Sequence, residues 1–191
     1  VDINNIQIQQ FPNKKHFVNI VDDLKDIKKT LNNCLNAQYK INLDNKVKIF
    51  KTHSALWKSE YSTFTNNDNT LGVIHIVRDP RNVITSIKNH YGKDNYTEAL
   101  NFMKDEKKFI GSKNITEEFD IPTLISSWSN HYKSWKKFKK NYLLIKYEDL
   151  IKKNKEEFFK ITNYLNSLGD FKFSENNISK AIKNCEFENL S

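Results

Sequence analysis

The chain has only two arginines among its 31 lysines and arginines, and both lie in Arg78-Asp79-Pro80-Arg81. Arginine offers a planar, permanently charged fork that can grip a phosphate or carboxylate with two hydrogen bonds, which lysine cannot do. The apolar run from 72 to 77 predicts a buried strand before them, and Asp79-Pro80 predicts a helix start with Asp79 as its N-cap. This pattern predicts an anion site, because a helix N-terminus follows the strand directly. The alternative is a structural ion pair with a nearby acid.

A second set of chemical residues follows the predicted strand at Val47 to Phe50. Lys51 and His53 are two positions apart, so an extended backbone would point both side chains the same way. A lysine can neutralise charge on a leaving group, and a histidine can accept a proton near neutral pH. Lys51-Thr52-His53 is weak evidence by itself. His75, within the apolar strand, is predicted to be a core histidine with a hydrogen-bond partner.

Strands and helices alternate along the rest of the chain. Further helices are predicted from apolar stripes at 20–35, 125–138 and 158–168, and Trp128 and Trp135 on the second stripe are expected in the core. A strand is predicted at 142–147, and 93–122 is predicted to be a lid or a substrate-facing segment. Strand–helix alternation predicts an α/β fold with a parallel sheet flanked by helices. Ligands of such sheets bind beyond the carboxyl ends of the strands, where Lys51, Arg78 and Tyr147 are expected.

Composition limits the class of protein. At 191 residues we expect one domain covering 1–191, and 13% aromatic residues indicate a folded core. The net charge of +8 favours an anionic partner such as a nucleotide, a nucleic acid or a sulfated substrate. Cys34 and Cys185 form no metal-type cluster and suit a reducing compartment, so we expect a cytoplasmic protein. No apolar run reaches membrane-spanning length, and no association with a membrane is expected.

Taken in order, these motifs resemble the sulfotransferases that use 3'-phosphoadenosine 5'-phosphosulfate (PAPS), and they look closest to bacterial members. The resemblance covers about 46–190. The matching segments are Lys51-Thr52-His53, Val77 to Ser86, Ser126 to Trp135 with His131, Tyr147-Glu148-Asp149-Leu150, and Ser179 to Leu190. The resemblance implies the P-loop-NTPase-like sulfotransferase fold, with PAPS as co-substrate and 3'-phosphoadenosine 5'-phosphate (PAP) as product.

The resemblance also implies roles for individual residues. His53 would be the catalytic base, and Lys51 would contact the transferred sulfuryl group. Arg78 and Ser86 would hold the 3'-phosphate. Tyr147 would lie near the adenine, and Phe187 would pack on it. The implied acceptor is a hydroxyl or amine of a small molecule or glycan, and neither a metal nor a nucleic acid is expected as a partner.

Two family segments have no counterpart in the sequence. Nothing from Val1 to Phe50 resembles the Gly-containing phosphosulfate loop, and this stretch contains no glycine, which a phosphate-cradling loop needs. The Arg-Lys-Gly segment expected after Phe187 is also absent, since the sequence ends at Ser191. We therefore expect the first strand with its phosphate loop to lie before Val1, and the fold to be incomplete at both ends.

Three alternatives remain open on sequence grounds. A nucleoside or nucleotide kinase would also place arginines at strand ends, but it would require magnesium and ATP. A nucleic-acid-binding module would account for the positive charge, although the aromatic residues fall on stripes typical of a buried core. A relative that binds nucleotide without catalysing transfer is the third. The sequence does not reveal the acceptor or the oligomeric state.

Overall fold

A computed structural model describes residues 8–111, 121–169, 171 and 173–184. These ranges contain six strands and eight α-helices. The strands are β1 (Ile8–Gln10), β2 (Ile49–Lys51), β3 (Val73–Val77), β4 (Phe109–Ile110), β5 (Thr123–Leu124) and β6 (Tyr142–Lys146). The helices are α1 (Ile27–Asn32), α2 (Cys34–Asn42), α3 (Pro80–His90), α4 (Tyr96–Lys104), α5 (Trp128–Trp135), α6 (Tyr147–Lys152), α7 (Asn154–Leu168) and α8 (Glu175–Asn184).

The strands form three pairs. β1 pairs with β2 and β3 pairs with β6, both in parallel, whereas β4 and β5 pair antiparallel. The parallel pairs agree with the predicted α/β class, and the sequence did not predict β1 or the antiparallel pair. Val77 is opposite Lys146 in the β3–β6 register, so both strands end at the same level. The residues that follow them are therefore neighbours.

The start of α3 is as the sequence predicts. Pro80 is its first residue, and the Asp79 carboxylate accepts a hydrogen bond from the Arg81 amide at 2.9 Å. The single helix expected over 20–35 is instead two helices, α1 and α2, that meet at Asn33. The carboxylate of Asp23 bonds the amide two residues ahead, and that of Asp26 caps α1. Aspartate thus turns the backbone before the apolar stripe can begin as helix.

The main core lies between the N-terminal segment and α5. Its buried members are mostly aromatic: Phe11, Phe17, Val21, Cys34, Ala37, Phe64, Ile121, Trp135 and Phe138. Trp135 packs edge-on against Phe64 with ring centroids 6.0 Å apart. Trp128, also expected in the core, is half-buried and stacks on Tyr132 instead. Trp135 anchors α5 in this core, and the helix therefore presents a fixed face to the loop that follows β2.

Within the described ranges, no helix combines the length and apolar character needed to cross a bilayer.

Candidate functional site

The first part of the site forms where β3 and β6 end. Arg78 follows β3, and Tyr147 follows β6 as the first residue of α6, not as the last residue of the strand as predicted. The Arg78 guanidinium carbon lies 4.9 Å from the centroid of the Tyr147 ring, within cation–π range. Arg78 Nη1 also donates a hydrogen bond to Ser86 Oγ on α3 at 3.0 Å. The structure thus brings together three residues that the sequence assigns to the nucleotide.

An open pocket of about 140 Å³ adjoins these residues. It is lined by Arg78, Asn82, Tyr147, Glu148, Ile151 and Lys152. Of this lining, Asn82, Ile151 and Lys152 were not singled out from the sequence. Their contribution depends on how α3 and α6 approach each other, which no local pattern records.

The two arginines have different partners. Arg81 Nε lies 3.0 and 3.1 Å from the two carboxylate oxygens of Asp79, and its Nη2 lies 2.5 Å from one of them. This hydrogen-bonded pairing holds the pKa of Asp79 at about 2. Arg81 is therefore in a structural ion pair, the alternative considered above. Within the described part of the chain, Arg78 has no such acidic partner.

The N-terminus of α3 is not the open anion site that the sequence predicts. The Asp79 carboxylate accepts from the Arg81 amide, and the Glu148 carboxylate accepts from the Asp79 amide at 2.9 Å. That backbone hydrogen bond is the main cause of the lowered pKa of Glu148. The protein's own carboxylates thus occupy the first amides of the helix. A phosphate at this edge of the sheet would be held by side chains, chiefly Arg78 and Ser86.

The second part of the site follows β2. The Lys51 and His53 side chains are both exposed. Partial burial of the imidazole, and then the positive charge of Lys51, lower the pKa of His53. The two residues are thus close enough to interact, as their spacing predicts. A lowered pKa keeps His53 neutral, and so able to accept a proton, near pH 7.

Two further histidines connect the two parts. The His131 imidazole on α5 lies close enough to the backbone of His53 for that backbone to act on its pKa, and its ring centroid lies 5.7 Å from that of His75 on β3. His75 is buried, with its Nδ1 2.8 Å from the Tyr142 hydroxyl, which confirms the predicted core histidine with a partner. Burial, and then the charge of His131, lower the pKa of His75 to about 4. Burial likewise lowers the pKa of His131.

A series of neighbouring residues leads from the loop after β2 to the end of β3. His53 contacts His131, His131 lies beside His75, and Arg78 is three residues beyond His75, about 10 Å along an extended chain. Sequence reasoning assigned no contact to His131, although the Ser-Trp-x-x-His-x-x-x-Trp spacing marked it. Its partner is the main chain of a segment 78 residues earlier, which leaves no trace in the sequence.

A groove of about 290 Å³ lies beside α4, in the segment predicted to face a substrate. Its lining mixes both charges and one ring: Lys93, Glu98, Asn101, Phe102, Asp105 and Lys108. The Lys108 ammonium lies 4.2 Å from the Phe102 ring centroid. Residues 112–120 of the same segment, and Phe187 of the predicted adenine site, lie outside the described residues. Across the described ranges, no group of three or more His, Cys, Asp or Glu side chains could hold a metal ion.

Comparison with known proteins agrees with this fold. The profile of the family described as "Sulfotransferase domain" matches residues 3–191, a longer stretch than the one that carries the motif resemblance. The crystal structure of mouse sulfotransferase SULT7A1 complexed with PAP has a similar fold, with a TM-score of 0.55 and 21% sequence identity. The match covers 78% of this chain and 50% of that one, so the chain spans about half the length of the mouse protein. No curated protein sequence matches the chain.

Proposed function

The chain belongs to the sulfotransferase-domain family, and from this we propose that it transfers a sulfuryl group from PAPS to a hydroxyl or amine of a small-molecule or glycan acceptor. The observation that carries the proposal is the environment of Arg78. Its guanidinium contacts the Ser86 hydroxyl and the Tyr147 ring, and it pairs with no acid in the described ranges. A cationic fork beside an aromatic face suits a nucleoside that carries a phosphate.

In the proposed donor complex, Arg78 and Ser86 hold the 3'-phosphate, and Tyr147 lies near the adenine. Phe187, outside the described residues, would pack on the same base. These contacts are remote from the sulfur. They would therefore serve to position the reacting atoms, because binding energy spent far from the reacting bond can fix its geometry.

In the proposed reaction, the acceptor oxygen or nitrogen attacks the sulfur in line. The new bond to sulfur forms while the bond between sulfur and the 5'-phosphate oxygen breaks, and PAP leaves. His53 takes the proton that the acceptor loses, which its lowered pKa favours at neutral pH. Lys51 offsets the negative charge on the transferring group and on the departing phosphate. This division of work needs no metal ion.

We place the acceptor beside the groove at α4. The Lys108 carbonyl accepts from the Ile125 amide at 2.9 Å, and the Leu124 carbonyl accepts from the Ala55 amide at 2.9 Å. The wall of the groove is therefore one strand away from the loop that carries His53. The mixed charge of its lining suits a polar acceptor with hydroxyl or amine groups.

We also place the protein in the cytoplasm. Cys34 is a free cysteine at the centre of the core, and its burial raises the pKa of the thiol to about 12. A buried, protonated thiol is inert and typical of a reducing compartment.

The test compares the full-length wild-type protein with its His53→Ala variant in two measurements, PAP binding by calorimetry and sulfuryl transfer from radiolabelled PAPS. We expect turnover to fall by about 10²–10⁴-fold, while PAP affinity changes little, because His53 would act on the acceptor and not on the nucleotide. If PAP affinity falls as steeply as turnover, His53 holds the site together and is not the base.

The same assays separate the alternatives. PAP binding without transfer by the full-length protein would indicate a relative that only binds nucleotide. Phosphoryl transfer from ATP that depends on magnesium would indicate a kinase. Addition of a chelator should leave sulfuryl transfer unchanged if the proposal is correct.

A further inference from the structure

Side chains of helix α5 form hydrogen bonds with the main chain of the loop that follows β2. The Trp135 indole Nε1–H donates a hydrogen bond to the Ser54 carbonyl at 2.9 Å. One residue earlier, the Ser134 hydroxyl accepts a hydrogen bond from the Leu56 amide, also at 2.9 Å. These contacts join segments 81 and 78 residues apart in sequence.

A third side chain of the same helix reaches the same loop. The His131 imidazole lies close enough to the backbone of His53 and of Ser54 for both to act on its pKa. Positions 131, 134 and 135 have the spacing i, i+3, i+4, so the three side chains share one face of α5. Each of them contacts the backbone of the loop, so together they fix the path of the chain over 53–56 whatever side chains it carries.

The side chains of α5 that contact the loop are themselves held in place. The Ser134 hydroxyl donates its single hydrogen to the His131 carbonyl at 2.7 Å, which leaves the oxygen as an acceptor facing Leu56. Trp135 is only 5% exposed and is fixed by its edge-on contact with Phe64. The Leu124 carbonyl of β5 accepts a hydrogen bond from the Ala55 amide of the same loop. The backbone of the loop is thus held by both α5 and β5.

The anchored loop contrasts with the side chain that it carries. Ser54, next to His53, is 1% exposed, whereas the His53 side chain is exposed to solvent. The main chain therefore determines where the imidazole begins, and only the side-chain rotamer remains adjustable. Placement matters because a base must come within about 2.6–3.2 Å of the proton it takes. A displacement of about 1 Å is enough to slow a reaction by about 10²-fold.

We propose that Ser134 and Trp135, together with His131, are positioning residues that fix the main chain of residues 53–56 and so place the His53 imidazole. This inference rests on the proposed function of His53 as general base. The three residues act through the loop and need no contact with nucleotide or acceptor. Their loss should therefore lower kcat and leave donor binding intact.

The test uses Ser134→Ala, with Ser129→Ala as the matched control. Ser129 is on the same helix but exposed, so its replacement removes an equal hydroxyl that does not touch the loop. In Ser134→Ala we expect exchange of the Leu56 amide with solvent to accelerate about tenfold, because the amide loses its acceptor. We expect kcat to fall about tenfold, with the KM for PAPS within about twofold of wild type. The control should match wild type in all three.

Trp135→Phe provides a second variant. It keeps an aromatic ring in the core, although a smaller one, and removes the N–H that bonds Ser54. We expect kcat again to fall while the KM for PAPS is unchanged. A kcat equal to wild type in both variants would overturn the positioning role. Exchange of the Leu56 amide as slow as in wild type in Ser134→Ala would show that Ser134 does not hold the loop. An equal fall of kcat in Ser129→Ala would also refute the proposal.

A readout without turnover separates this inference from the proposed function. The ring resonances of His53 in the NMR spectrum should shift in Ser134→Ala and in Trp135→Phe, and stay in place in Ser129→Ala. If the full-length protein transfers no sulfuryl group, the proposed function fails, and these resonances with the Leu56 exchange rate still decide whether α5 places the imidazole. Unshifted resonances in both variants would refute the inference whatever the activity.

Discussion

Replacing Arg78 by lysine tests the proposed nucleotide site most directly. Lysine keeps the positive charge, so long-range attraction to a phosphate is retained. It lacks the planar fork, and a phosphate would be held at one point only. The change thus isolates the geometry of the contact from its charge. Arg81→Lys is a matched control, because the neighbouring arginine is engaged with Asp79.

The expected magnitude follows from the contacts of Arg78. Its Nη1 is committed to Ser86 at 3.0 Å, which leaves the rest of the guanidinium to face a ligand. With a lysine at this position, one charge-assisted hydrogen bond to the phosphate would be lost, at a cost of about 1.5–3 kcal/mol. This corresponds to an increase of about 10- to 150-fold in the Kd of PAP.

Calorimetry with two nucleotides provides the assay. PAP carries the 3'-phosphate and adenosine 5'-phosphate does not, so the loss in Arg78→Lys should fall almost entirely on PAP. Arg81→Lys should bind both nucleotides as the wild type does. Equal losses for the two nucleotides in Arg78→Lys would refute the assignment of Arg78 to the 3'-phosphate. Equal effects of the two arginine substitutions would show that the segment contributes charge without a specific contact.

Three further outcomes can be measured. The pKa of His75 is lowered to about 4, so its contribution to stability is complete above about pH 6.5 and is lost as the pH falls towards 4. In chemical denaturation, His75→Gln should therefore reduce the free energy of unfolding by about 2 kcal/mol less at pH 5 than at pH 7. An equal reduction at both pH values would contradict this. Lys51→Gln should raise the pKa of His53 in an NMR titration, because a neighbouring positive charge is removed; an unchanged or lower pKa would show that the two side chains do not interact. Phe187→Leu should weaken PAP binding by about 1–3 kcal/mol and reduce the melting temperature modestly. A lower melting temperature with unchanged PAP affinity would make Phe187 a packing residue.

The parts of the fold that the sequence predicted correctly are those controlled by local chemistry. One continuous stretch contains the strand before Arg78, the N-cap Asp79 and Pro80 at the first helical position. The conformation of each is determined by its own local sequence. Parallel pairing then places Tyr147 beside Arg78, because the two strands end in register. General rules for parallel sheets were therefore enough to bring these two residues together.

The errors and omissions come from contacts between distant segments. Glu148 reaches the first amide of α3 across 69 residues of sequence, and no pattern near Asp79 indicates that a carboxylate will arrive there. The hydrogen bond from Trp135 to Ser54 was also not predicted, because its acceptor is a backbone carbonyl, a group that every residue possesses. Trp135 was assigned correctly to the core, but its indole N–H had no assigned partner.

The position of Glu148 determines how salt should act on the nucleotide site. With a carboxylate already against the amide at the start of α3, the positive end of that helix is neutralised before a ligand arrives. An incoming nucleotide meets instead the exposed cations Arg78 and Lys152 at the edge of the pocket. Mobile ions screen charges in such positions over about 8 Å at physiological ionic strength, whereas buried amides are largely protected from them. Affinity for the proposed nucleotide should accordingly weaken steadily as salt is added, and ionic strength would then control how much of the protein has nucleotide bound.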